Sequence, residues 1–172
     1  MKETARVIVT YRCDRHCPGC CNTQPQDVKT IHSIEELKNY KEIVVTGGEP
    51  FLEPELLNFF VKKLRKQNKN VKVFLYTACL DVQQYKKIAG EFDGITVTLH
   101  AECNDNDILK LKDLSEWISE DGIMRLFIDQ RVYNKYDLSN IDLSEWDVIR
   151  KLEWKENCKP APNEDLLFLS LF

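Results

Sequence analysis

No run of eighteen or more apolar residues occurs in this 172-residue chain, which argues against a membrane-spanning helix. The opening Met-Lys-Glu-Thr-Ala-Arg-Val lacks the apolar stretch of a signal peptide, so a soluble, cytoplasmic protein is expected, with no membrane partner. Excess positive charge is also missing. The net charge is -4 and the pI is near 5.5, giving no overall pull toward phosphate backbones, so nucleic acid is not the expected partner. Seven cysteines cannot all pair, and a disulfide framework belongs to short secreted chains. Clustered thiols in such a chain point instead to metal or catalysis. With 43% hydrophobic residues, the length suits one domain with a real core.

Cys13, Cys17 and Cys20 form a CxxxCxxC triplet where a strand-like run ends, and Thr46-Gly47-Gly48-Glu49-Pro50 follows a second such run. Iron-sulfur cubanes are held by Cys thiolates, normally four of them. Three closely spaced thiols therefore suit a [4Fe-4S] cluster with one iron left open to a ligand. The alternative is a structural zinc knot, built from the Cys17–Cys20 pair, Cys13 and either His16 or Cys21. A zinc knot requires no Gly-Gly-Glu-Pro. Glycines without a Cβ allow close approach of a ligand to Gly47 and Gly48, while Glu49 either supplies negative charge there or opens the helix after Pro50.

Strand-like runs at residues 5–11, 42–46, 71–76, 94–100, 123–129 and 148–154 alternate with helical patterns at 33–40, 53–67, 81–92 and 107–120, as in βα units building a parallel sheet. Residues 53–67 give the clearest helix, with Leu56, Leu57, Phe60, Val61 and Leu64 on one face. Residues 134–147 fit neither pattern. Residues 1–158 read as the core domain and 159–172 as a C-terminal tail, whose apolar end should dock somewhere, preferentially on the chain itself.

At these residues the sequence resembles the radical S-adenosylmethionine (SAM) superfamily, whose signature is CxxxCxxC after the first barrel strand and Gly-Gly-Glu after the second. The resemblance covers residues 5–60 best and 70–130 more loosely. It implies an α/β fold, an open partial (βα)6 barrel of mostly parallel strands, which agrees with six strand-like runs. It implies that Cys13, Cys17 and Cys20 ligate the cluster and that SAM chelates the fourth iron. Gly47, Gly48 and Glu49 would then hold the methionyl amine, and Thr77 matches the first residue of a Thr-Asn-Gly segment common in the family, here followed by Ala78 and Cys79.

The implied chemistry is one-electron cleavage of SAM to methionine and a 5'-deoxyadenosyl radical, which takes a hydrogen atom from the substrate. A flavodoxin or ferredoxin would donate the electron. Pro18-Gly19-Cys20 followed by Asn22 is similar to the loop of small activases of anaerobic ribonucleotide reductases, which implies a glycyl-radical protein as partner. A radical SAM modifier of a small molecule or peptide is the alternative. A non-catalytic zinc or iron-sulfur module is the reading from another class.

Thr96, Thr98 and His100 alternate along one strand-like run and so point the same way. Thr98 and His100 are thus candidates for contact with SAM or substrate, His100 as a general acid or base. The plain alternative is polar groups satisfied within a strand. Cys21, Cys79, Cys103 and Cys158 lack ligand-pair spacing and read as structural thiols. The basic run Lys62, Lys63, Arg65, Lys66, Lys69 and Lys72 reads first as a solvated helix face, and second as a dock for an acidic flavodoxin.

Anaerobically reconstituted protein should carry about four irons per chain, and replacing Cys13, Cys17 or Cys20 by Ala should abolish this. Stoichiometric zinc without labile sulfide in the purified chain would refute the iron reading.

Overall fold

The computed structural model of the chain describes residues 2–20, 22, 28–88, 90–118, 122–153 and 160–171. Eight strands form one sheet: β1 (Thr4–Thr10), β2 (Lys29–Ile31), β3 (Glu42–Gly47), β4 (Lys72–Thr77), β5 (Gly94–Leu99), β6 (Ile123–Asp129), β7 (Val148–Leu152) and β8 (Glu164–Leu169). Their spatial order is β2-β8-β1-β3-β4-β5-β6-β7, and every neighbouring pair is parallel. The sheet runs from β2 to β7 without closing, which makes this an open α/β architecture. The helices are α1 (Pro54–Gln67), α2 (Val82–Ile88), α3 (Asp105–Trp117) and the short α4 (Gln130–Tyr133).

Strand alternation separates two chemistries. Val7, Val45, Leu75, Val97 and Leu126 are fully buried and belong to the core that also includes Leu57, Phe60 and Leu64 of α1 and Leu111 and Leu114 of α3. The intervening residues face the other way, where Arg6 and Ile8 of β1, Thr46, Tyr76, Thr98 and Leu166 line a cavity. One face of the sheet holds the fold together and the other holds the site. Parallel strands place their C-terminal ends on one rim, the usual position of chemistry in such folds.

Six strands coincide with the strand-like runs to within one or two residues. The other two have plain reasons for being hidden. β2 is three residues long, too short for any periodicity. β8 lies in the segment read as a tail, yet it pairs with β1 on one side and β2 on the other. Leu167 and Leu169 enter the core at 3% and 4% exposure, while Phe168 packs against Tyr11 with ring centroids 4.7 Å apart. Arg6 bonds Glu164 at 2.8 Å, and Tyr40 donates to Asp165 at 2.7 Å. These contacts fix the register of the pairing.

Helical patterns shortened where turns intervene. Residues 33–40 form a single 3-10 turn at Ile34–Leu37, capped by Ser33 with Glu36 closing the box. α2 ends at Ile88, two residues before Gly90 at φ 79°. α3 begins two residues earlier than its apolar pattern, because Asn104 accepts from the backbone N–H groups of Asn106 and Asp107. No helix among the described residues is long and apolar enough to cross a membrane.

Most of the basic run stands where the strands begin, on the rim opposite the cysteines. Lys72 is the first residue of β4, and α1, about 21 Å long, carries Arg65 and Lys66 in its last turn. Arg65 and Lys72 both pair with Asp93, at 2.9 and 2.8 Å, and Lys63 reaches Glu35 at 3.4 Å.

Leu167→Ala should lower unfolding stability by about 2–5 kcal/mol, read as a lower chemical-denaturation midpoint. A midpoint equal to that of the parent would mean that β8 is not an integral strand.

Candidate active site

The site starts where β1 ends. Its last turn of chain is laced to the turn after β3: the Gly48 N–H donates to the Thr10 carbonyl at 2.7 Å, and the Glu49 N–H donates to the Arg12 carbonyl at 2.8 Å. The two segments approach so closely that a Cβ on Gly47 would overlap the Thr10 carbonyl oxygen, and one on Gly48 would overlap that of Arg12. Gly47 also sits at φ 145°, a conformation that side chains disfavour. The two glycines are therefore demanded first by the chain's own crossing. They also line the cavity, where no side chain of theirs covers the wall.

The cysteine loop is shaped by a second turn. The Cys20 N–H donates to the Cys17 carbonyl at 3.1 Å, with Pro18 and Gly19 between them and Gly19 at φ 75°. Pro then Gly with positive φ is the chemistry of a type II turn. It explains why glycine stands at position 19. Asn22 donates its side-chain N–H to the Tyr11 carbonyl at 2.6 Å, tying the loop's far end back to its start. Cys13, Cys17, Cys20 and Asn22 all line a cavity of about 240 Å³, together with Gly47, Gly48, Thr77, Thr98 and His100.

Glu49 does not line that cavity. It is 4% exposed and caps the 3-10 turn Pro50–Leu52; Oε1 accepts from the Phe51 N–H at 3.0 Å and the Thr77 hydroxyl at 2.7 Å, and Oε2 accepts from the Ala78 N–H at 2.9 Å. Burial pushes its carboxyl above the usual range, partly offset by these donors. Glu49 thus rivets the β3 turn to the end of β4. Thr77, held by it, accepts in turn from the Cys79 N–H at 2.9 Å.

Three residues that the sequence did not single out complete the surroundings of Cys17. Its thiol donates to Glu102 Oε1 at 3.1 Å. Arg15 bonds the same Glu102 oxygen at 3.3 Å and Asp107 Oδ1 at 3.0 Å, while Asp107 Oδ2 accepts from the Asn104 N–H. Arg15 therefore pins the cysteine loop to the start of α3. These partners lie 85 to 92 residues apart in sequence, beyond any local pattern. The one local signal was the Asn104-to-Asp107 cap. Burial, then Glu102, raises the Cys17 thiol well above its ordinary range, and burial also raises Cys13. His100 is pushed below its ordinary value by burial, with Glu102 opposing.

Cys79 and Cys103 stand apart from the cavity lining, and burial pushes each thiol up to about 11. Cys21 and Cys158 lie outside the described residues.

The donor set fits an iron-sulfur cluster. Three thiols from one loop line one cavity, one fewer than the four that usually hold a cubane. Among the described residues, Cys17, His100 and Glu102 also have ligand atoms within 4.8 Å of one another.

Residues 4–108 match the family described as 4Fe-4S single cluster domain. Among solved structures, BtrN in complex with AdoMet and 2-DOIA matches with a TM-score of 0.56 at 16% identity, covering 87% of this chain. This chain spans 57% of the length of BtrN. No curated protein sequence matches.

Gly48→Ala should cut reconstituted iron by more than half, because the displaced Arg12 carbonyl carries the cysteine loop with it. Full iron content in this variant, combined with lost SAM binding, would show that the glycine serves the ligand alone.

Proposed function

The chain belongs to the 4Fe-4S single cluster domain family, and from that premise we propose that it is a radical SAM enzyme, cleaving SAM reductively to abstract a hydrogen atom from a substrate. One observation carries the reading: three thiols of one loop line a single cavity together with the Gly47-Gly48 turn and residues at the ends of β4 and β5. Held by Cys13, Cys17 and Cys20, such a cluster would supply the single electron that reductive cleavage of SAM to methionine and a 5'-deoxyadenosyl radical requires.

The chain's own residues do the holding and shielding. Cys13, Cys17 and Cys20 would ligate iron as thiolates, so loading the metal releases their protons. Arg15, at 3.3 Å from Glu102, places positive charge beside the carboxylate that a Cys17 thiolate would otherwise face unscreened. With the Gly48 N–H held by the Thr10 carbonyl, the side-chain-free backbone at Gly47 and Gly48 would let the methionyl end of SAM approach the cavity wall closely. Thr98 and His100 line the same cavity, and Ile8 and Leu166 supply apolar surface that displaces water.

Two substrate classes suit this chemistry, a glycyl-radical protein and a small molecule or peptide. Pro18-Gly19 and Asn22, the residues resembling an activase loop, are accounted for by the turn and the tie to Tyr11. The walled cavity favours a small molecule. A flavodoxin or ferredoxin donor would approach the rim of the cysteine loop, where the Arg12 side chain is 71% exposed, rather than the lysine-rich rim at the other end of the strands.

Reconstituted protein with a chemical reductant should release 5'-deoxyadenosine from SAM, and Cys17→Ala should reduce release to background. A chain that holds its cluster yet yields no reductant-dependent 5'-deoxyadenosine would refute the proposal.

A further inference from the structure

The cavity lined by the three thiols is also lined by Arg6, which precedes Thr10 at the end of β1 by four positions, about 13 Å along the strand. It therefore reaches from the cysteine loop well down the face of the sheet. Two arginines line it, Arg6 and Arg15, and no carboxylate does among the described residues. Arg15 is matched by both Glu102 and Asp107. Arg6 is matched less fully: one terminal nitrogen meets Glu164 at 2.8 Å, and its Nε has no hydrogen-bond partner. Glu164 does not depend on that contact alone, because its Oε2 also accepts from the Ala161 N–H at 3.1 Å. A guanidinium offers five N–H donors, and one carboxylate oxygen leaves most of them unused.

Strand register gathers further donors around this cation. Arg6 lies over the Tyr76 ring, 5.6 Å from guanidinium carbon to centroid, so its side chain reaches from β1 over β3 to β4. Thr46 stands on that middle strand, in register with Ile8 and one position past the Val45–Leu75 pair, which puts it beside Tyr76. Arg6, Thr46 and Tyr76 all line the cavity, and all three are only partly buried. Stacking on the ring occupies the flat face of the guanidinium and leaves its edge of N–H donors for an anion.

We infer that Arg6, with the Thr46 and Tyr76 hydroxyls, binds the carboxylate or phosphate end of a small substrate. The inference rests on the radical SAM reading for calling the ligand a substrate, and it names the class: an organic anion short enough to lie between Arg6 and the cysteine loop. With its charged end held at Arg6, the remainder of the molecule would extend along the cavity toward Thr98 and His100.

Calorimetric titration of the full, cluster-loaded chain with glycerol 3-phosphate, glycerate and neutral glycerol, each without and with SAM, tests it. Saturable binding of at least one anion, well above glycerol and retained with SAM present, is expected. Arg6→Gln should weaken it by roughly tenfold or more, whereas Glu164→Gln, which removes the competing carboxylate, should tighten it by roughly threefold or more. Both variants break the same ion pair, so a purely structural role would make them act alike. Where Arg6→Gln does not fold, Glu164→Gln decides. Binding of glycerol 3-phosphate alone assigns a phosphate, and of glycerate alone a carboxylate. No saturable binding of either anion, equal binding of glycerol, unchanged affinity in Arg6→Gln, or affinity no tighter in Glu164→Gln overturns the inference. Loss of the anion when SAM is added also overturns it, since Arg6 would then hold the carboxylate of SAM itself. A chain that binds anions without cleaving SAM refutes the proposed function alone, and one that cleaves SAM but ignores both anions refutes this inference alone.

Discussion

Everything at the site depends on two stretches of backbone crossing with no room for a side chain between them. Gly47 and Gly48 pass so near Thr10 and Arg12 that two main-chain hydrogen bonds join the segments directly. That crossing decides where the chain leaves β1, and so where Cys13 begins the cysteine loop. Glu49 then extends the constraint to β4 through Thr77 and Ala78. A motif read for its contact with a ligand turns out to be masonry as well. The two roles are compatible, because glycine leaves main chain bare on whichever side is not packed.

The cysteine loop is held at its other side by charge. Arg15 reaches from the loop to both Glu102 and Asp107, which belong to the turn and first turn of α3. All three side chains are less than one-fifth exposed, so the ion pairs act in a medium that screens them less than water does. The loop of thiols is thereby suspended between a backbone crossing and a buried charge cluster. Pre-positioned ligands reduce the ordering that metal capture would otherwise require.

Much of this was legible in the sequence, and the limits have physical causes. β1, β3, β4, β5 and β6 announced themselves as apolar runs because parallel strands are buried along most of their length, whereas β7 showed only as a short apolar run and lies largely exposed. The cysteine triplet, Gly47-Gly48, Thr77, Thr98 and His100 converge on one cavity, as expected of residues at the ends of parallel strands. Arg15, Glu102 and Asp107 were invisible because their pairing is set by the fold, with no spacing to betray it. Glu49 carried an ambiguous signal, since an acidic residue before Pro suits a cap and a binding group equally; its buried oxygens are occupied by protein donors. β8 escaped because its partner, β1, lies at the opposite end of the chain, and apolar residues alone do not name a partner.

The position of β8 has a further consequence for how the molecule comes into being. Thr4 pairs with Glu164, 160 residues later, and β8 also brings Leu166 to the cavity wall. Closing so long a loop is entropically slow, and a sheet of distant parallel pairings folds late. At ordinary synthesis rates of 5–20 residues per second, β1 waits roughly 8–32 s on the ribosome with one edge unpaired. During that interval the thiols already exist while one wall of their cavity does not. Metal capture and completion of the sheet are thus separate events in the life of the chain, and the order in which they occur is written into its topology.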